Sequence, residues 1–133
     1  MVAHGTIAFD TLTTSDQVKT GTEKSLDTSY VFNGSAKVWM HFDGRVGNAF
    51  VDSLNCSTLT DNGTGNYTTT YTNSMGNSNY AVITGVDENV STAAGITQGD
   101  TRTTTQLKLL TRNSSATLAD EASINGEVLG DLA

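Results

Sequence analysis

The sequence has no proline and a single cysteine, Cys56. Without a second cysteine no intrachain disulfide can close, so the fold must be held by packing within the chain or against neighbouring subunits. The lack of proline removes one of the usual blocks on edge-strand pairing, which suits a β chain whose edges meet other subunits. Charge is also scarce: charged residues make up 16% of the chain, against about 25% in an ordinary soluble domain. Seven Lys and Arg face fourteen Asp and Glu, for a net charge of −7. Such a field repels phosphate backbones and anionic headgroups, and Lys19, Lys24, Lys37, Arg45, Arg102, Lys108 and Arg112 form no run that could follow a nucleic-acid strand. Neither nucleic-acid binding nor membrane insertion is expected. No apolar run approaches the ~20 residues of a transmembrane helix, and Met1 to Asp10 lacks the basic and apolar regions of a Sec-type leader. The expectation is a soluble protein made in a cytoplasm.

What is present is Thr-rich alternation punctuated by Gly, Asn and Asp, with 36% apolar residues and almost no helical periodicity. At 133 residues the chain suits a single core. The pattern predicts an all-β fold, a small antiparallel β-sandwich of about seven to eight strands, with an extended N-terminal arm. Residues 1–29 read as the arm and 30–133 as the sandwich. A first strand is expected over Thr6 to Leu12, with Ile7, Phe9 and Leu12 as candidate docking residues of the arm. Ala36 to Asp43 alternates with Val38, Met40 and Phe42 on the core face and Lys37, Trp39 and His41 opposite. Phe50 to Leu59 continues in that style, and Cys56 reads as a small buried residue. Asp61-Asn62-Gly63-Thr64-Gly65 is the strongest hairpin signal, followed by Asn66 to Thr72 with Tyr67, Thr69 and Tyr71 on one face and Thr68, Thr70 and Thr72 on the other. Tyr80 to Val86 reads as a more buried strand, Asp87 to Asp100 as a long contact loop, Arg102 to Arg112 as one long strand, and Ser123 to Leu129 as the closing strand.

The chemistry-bearing residues point away from catalysis. Only His4 and His41 could act as the base of a Ser-His-Asp site, and neither lies in a motif. No nucleophile elbow, P-loop, dinucleotide fingerprint or His-Glu-x-x-His pattern occurs. Asp43, Asp52, Asp61 and Asp87 fall at turns and strand ends, where Asp bonds its own backbone. One Cys and two His do not make a closed zinc site, and the Asp61 to Asn66 loop lacks the closing Glu of a calcium loop. No enzyme activity, cofactor or metal is therefore expected. Trp39, His41, Thr68 and Thr70 are the candidate oligomer-interface residues. Asp61, Asn62, Thr64 and Asn66, with Asp87, Glu88 and Asn89, are the candidate outward contacts. The Asn-x-Ser/Thr matches, Asn33 among them, follow from composition and have no leader to deliver them to glycosylation.

The run Asn33-Gly-Ser-Ala-Lys-Val-Trp39, then His41-Phe-Asp-Gly44 and Asp52-Ser-Leu-Asn-Cys-Ser-Thr-Leu-Thr-Asp-Asn-Gly-Thr-Gly-Asn-Tyr67, resembles a segment recurring in virion proteins of tailed bacteriophages, particularly marine ones. The ending Gly130-Asp-Leu-Ala133 resembles their chain ends. The likeness spans Asn33 to Val86 and, more loosely, the C-terminal region. It implies a non-enzymatic structural protein of the virion surface: a capsid decoration or head-fibre protein, or alternatively a tail-fibre module that recognises host surface glycan. The implied partners are copies of the chain, by analogy a homotrimer, and the major capsid protein or a tail protein. Host surface polysaccharide is the further partner implied.

Overall fold

The computed structural model describes residues 11–13, 25–86 and 96–133. They fall into two units, Met1–Ser35 and Ala36–Ala133. In the first, β1 (Thr11–Thr13) pairs antiparallel with β2 (Ser25–Asp27), and a short helix, α1 (Thr28–Gly34), follows. The helix was not expected; its seven residues are too few to establish a 3.6-residue period. It carries Tyr30, Val31 and Phe32, all exposed.

The second unit is the sandwich. Its strands are β3 (Ala36–Phe42), β4 (Phe50–Leu54), β5 (Cys56–Asp61), β6 (Asn66–Tyr71), β7 (Ala81–Val86), β8 (Ile96–Arg102), β9 (Gln106–Arg112) and β10 (Ile124–Leu129). Two four-stranded sheets form, in the orders β4-β3-β10-β7 and β5-β6-β9-β8, with every neighbour antiparallel. The expected all-β class and strand number hold.

Period-2 alternation decides which face is core. Val38, Met40 and Phe42 of β3, and Ile124 and Val128 of β10, meet Tyr67 and Tyr71 of β6 and Leu107 and Leu109 of β9. Burying each aliphatic or aromatic side chain contributes about 1.5–3 kcal/mol. The ring of Phe42 packs edge-on against Tyr67 at 5.1 Å and Phe50 at 6.4 Å between centroids, geometry worth about 0.5–1.5 kcal/mol per pair beyond burial. Two threonines lie within this core and neither wastes its hydroxyl: Thr69 Oγ1 sits 3.1 Å from Met40 Sδ, and Thr111 donates to the Ala119 carbonyl at 2.6 Å.

The strand limits differ from the sequence reading in four places. The stretch Phe50 to Leu59 is two strands in different sheets, broken at Asn55, which takes φ 57°. Asn tolerates that left-handed conformation better than most residues, and its side chain is held at the switch by Asn73, whose amide donates to Asn55 Oδ1 at 2.7 Å. Arg102 to Arg112 is a hairpin. Thr103 Oγ1 accepts from the amides of Thr105 and Gln106 and turns the chain between β8 and β9. Tyr80 to Val86 is an edge strand: Tyr80 is buried, but Ala81, Ile83 and Gly85 are exposed. Ile96 to Asp100, expected in the long loop, belongs to β8, and Asp100 pairs with Lys108 at 3.0 Å.

Candidate functional site

Each sheet has an outer face, and the candidate residues divide between them. In the first sheet the residues out of phase with the core form two rows across the strands. One row is Leu54, Trp39, Glu127 and Ile83; the next is Asp52, His41, Asn125 and Gly85. Leu54, Ile83 and the neighbouring Val51, a residue added to β4 at a bulge opposite His41 and Phe42, are exposed apolar side chains. Trp39 is half-buried on this face. Gly85 has nothing within 4 Å of where a Cβ would stand. It opens a shallow recess of about 240 Å³ lined by Ile83, Thr84, Gly85, Asn125, Gly126 and Glu127.

In the second sheet Thr58 and Thr60 of β5 stand directly beside Thr70 and Thr68 of β6, and beyond them lie Gln106 and Lys108 of β9. Asn62 Nδ2 donates to Thr68 Oγ1 at 2.9 Å, and Gln106 Nε2 donates to Thr70 Oγ1 at 3.4 Å. The structure therefore places Trp39 and His41 on one outer face and Thr68 and Thr70 on the other. No single flat contact could engage all four.

The Asp61 to Asn66 loop is occupied with its own turn. Asp61 Oδ1 accepts from the Gly63 amide at 2.8 Å, Asn62 N donates to Asn66 O at 2.8 Å, and Gly63 has φ +114°. Asp61, Asn62 and Thr64 are exposed, as an outward contact requires. Asn66 is half-buried, its Oδ1 shielded from solvent and without a partner. Asp87, Glu88 and Asn89 lie outside the described residues, as do Ile7 and Phe9; Leu12 falls in β1.

The reactive groups are likewise tied into structure. His41 Nε2 lies 3.2 Å from Ser123 Oγ, and Ser123 has φ 52°. That is a dyad geometry, but Asp52, the carboxylate beside His41, accepts the Ser53 amide with its Oδ1 at 2.8 Å. Arg45 forks onto Asp43 at 2.8 and 3.0 Å and holds its carboxyl down at about 2. Cys56 is half-buried with Sγ 3.4 Å from the Trp39 carbonyl, and burial pushes its thiol up to about 11. A thiol so protonated is a poor nucleophile. Among the described residues no cluster of three or more His, Cys, Asp or Glu could hold a metal, and no helix is long and apolar enough to cross a membrane.

One polar knot was missed from sequence. Tyr67, buried, points its hydroxyl between Asp120 Oδ1 at 2.6 Å and the Gly44 carbonyl at 3.0 Å, while the Gly65 amide donates to the same Asp120 oxygen at 2.7 Å. Burial first, then the Asp120 carboxylate, raises the Tyr67 phenol well above its ordinary value. The partners lie 23 and 53 residues away from Tyr67 in the chain, a separation that local pattern does not encode.

Comparison with family models, with curated proteins and with solved structures gives no match to this chain.

Proposed function

We propose that this protein is a non-enzymatic structural component of a tailed-phage virion surface, most closely a capsid decoration or head-fibre protein. The observation that carries the reading is a sandwich with a filled core and two open outer faces, built on a sequence whose Asn33 to Tyr67 segment resembles virion β-domains. Such a body offers surfaces for contact in place of an enclosed reactive chamber.

In this reading the chain assembles with copies of itself, as a homotrimer, through the second sheet. That face is the better suited of the two: its Thr58, Thr60, Thr68 and Thr70 array is uncharged, and the adjacent Lys108 is neutralised by Asp100. Threonine hydroxyls rotate to give or accept a hydrogen bond, so a symmetric partner can satisfy them. The N-terminal unit would then engage the major capsid protein or a tail protein, with α1 offering Tyr30, Val31 and Phe32 as apolar anchors.

The test is co-sedimentation of the full chain with purified capsids of the phage that encodes it, emptied of DNA, alongside tails of the same phage. Saturable binding to capsids at a fixed stoichiometry, reduced by Tyr30→Ser with Phe32→Ser, is expected. Binding to neither capsids nor tails would overturn the proposal, and binding to tails alone would move the protein to the fibre.

A further inference from the structure

We infer that strand β7, the open edge of the first sheet, is a pairing surface for a second copy: two chains align β7 with β7, antiparallel, about a two-fold axis at Ile83 and so join their first sheets into one. This contact is distinct from the three-fold one proposed on the second sheet and does not depend on it.

The two sheets have four edges, β4, β7, β5 and β8. Edge strands are ordinarily blunted against pairing by charge, by bulges or by proline. The chain has no proline, and three of its edges carry the other two devices. Strand β4 has Asp52 and the bulge opposite His41 and Phe42; β5 has Asp61 and a register shift between Cys56 and Thr58; β8 has Asp100 and Arg102, with a shift between Gly99 and Arg102. Strand β7 has neither. Its sequence, Ala-Val-Ile-Thr-Gly-Val, is uncharged, and it pairs with β10 without a break from Ala81 to Val86. Among the described residues β10 is the one strand hydrogen-bonded to it, and an edge strand turns a row of amides and carbonyls away from its single neighbour. Its side chains are incompletely covered as well. Val82 and Val86 pack on the core but are only half-buried, and Ile83 on the outer face is 55% exposed.

The pattern of residues fits a copy of the same strand. Directly opposed side chains of an antiparallel pair share a face, so a two-fold axis normal to the sheet must pass through a residue. Centred on Ile83, the axis opposes the one large exposed apolar side chain of β7 to its own mate, Ala81 to Gly85, and Val82 to Thr84. The two isoleucines cover one another, and the mate's Ala81 meets open space at Gly85, where a Cβ would have nothing within 4 Å. A glycine inside a strand often marks the close approach of another backbone. Centred on Thr84 instead, the axis would lay Ile83 over Gly85, with no side chain to cover it. Like charges stay apart. Glu127, beside Ile83 in its row, would stand three strand spacings, about 14 Å, from its mate, beyond the ~8 Å screening length of physiological salt.

Size sets the strength. A pair of six-residue strands buries far less than the ~1,000 Å² of a stable interface. Dilute chains therefore keep the species that their other surfaces set, and β7 pairs form where copies are held side by side at millimolar effective concentration.

The test is oxidative cross-linking of the full chain in a Cys56→Ala background, from micromolar to millimolar protein. Ile83→Cys puts two thiols across the axis, where opposed Cα atoms lie about 4.5–5.5 Å apart, within disulfide reach. Gly85 is exposed like Ile83, but Gly85→Cys would face Ala81 and lie about 13 Å along the strand from its own mate. Cross-linked dimer is expected to rise with concentration for Ile83→Cys and to stay at the collisional level for Gly85→Cys. Adding Thr68→Lys and Thr70→Lys on the other sheet should leave the yield unchanged, which separates this contact from the three-fold one. In the chain without cysteine changes, concentration-dependent amide shifts in NMR should centre on β7 and vanish in Ile83→Lys, a charge of the kind the other edges carry. No dimer with Ile83→Cys, an equal yield with Gly85→Cys, loss of the dimer on adding the two lysines, or shifts that persist in Ile83→Lys would each overturn the inference.

Discussion

Removing one oxygen, in Tyr67→Phe, is the sharpest probe of how this sandwich is closed. The ring stays, so the edge-on contact with Phe42 and the burial are kept; only the hydroxyl between Asp120 and the Gly44 carbonyl is lost. A hydrogen bond to a charged acceptor contributes about 1.5–3 kcal/mol, and the single phenolic proton goes to Asp120 Oδ1, the shorter of the two contacts at 2.6 Å. Taking about 2 kcal/mol, the melting temperature should fall by roughly 8–16 °C for a domain near 100 residues. Asp120→Ala removes the same acceptor and also strands the Gly65 amide, so it should cost as much or more. Because the two side chains touch, the double variant should cost less than the sum of the singles, with a coupling of about 1–2 kcal/mol. Urea unfolding followed by Trp39 fluorescence gives all four free energies. A Tyr67→Phe effect below about 0.5 kcal/mol, or strict additivity, would refute the assignment of the knot as a fastening between the Gly44 turn, the Gly65 turn and the segment before β10.

Other outcomes follow from the same geometry. Burial raises the phenols of Tyr67, Tyr71 and Tyr80 in the folded state. The unfolded chain therefore releases protons from about pH 10, where the folded chain does not, and stability must fall as pH rises, by up to about 4 kcal/mol per pH unit for three such groups. In a Tyr30→Phe variant, which removes the exposed fourth tyrosine, absorbance at 295 nm should show their ionisation coinciding with loss of the β signal in circular dichroism, and ionisation well before unfolding would contradict it. Asp43, lowered to about 2 by Arg45, works in the opposite direction: its contribution is present above the unfolded value near 3.8 and is lost as pH falls through about 2. Arg45→Ala should consequently flatten the acid limb of the stability curve. Gly65→Ala should be severely destabilising, since φ is +63° and a Cβ would lie 2.5 Å from the Thr111 carbonyl oxygen, whereas Gly63→Ala meets only the backbone strain of its φ. Cys56, with its thiol near 11, should react with a disulfide reagent at pH 8 roughly a hundredfold more slowly than after denaturation.

Alternation was legible wherever a strand has one buried face. Val38-Met40-Phe42 and Tyr67-Thr69-Tyr71 both announce their inward side, because a slip of one residue would expose the whole set. The Asp61 to Gly65 turn was equally plain, since its glycines are needed at positive φ. Three features hid from the same reading. The sheet switch at Asn55 rests on a single left-handed residue in an otherwise strand-like run. The Thr103 turn uses a β-branched residue that ordinarily argues for strand, and turns only because its hydroxyl competes for two amides. The edge position of β7 depends on which strands lie beside it, and Tyr80 to Val86 says nothing of that by itself.

The candidate surfaces were less legible for a related reason. Trp39 and His41 were correctly placed opposite the core, as were Thr68 and Thr70, but that the two pairs occupy opposite sides of the molecule follows from the order of strands in each sheet. Leu54, Glu127 and Ile83 join Trp39 in one row although they are far apart in the chain. The available signal was the outward phase of Asn125 and Glu127 in the closing strand, together with a glycine at 85 where the pattern called for a side chain.

Sedimentation velocity of the full chain, taken across a concentration range, tests most directly whether these sheets are built for self-assembly. A discrete species of three times the 14.0 kDa chain is expected, falling to monomer when Thr68→Lys and Thr70→Lys place two charges on each second-sheet face. A monomer at every concentration, or a trimer unmoved by those lysines, would contradict it.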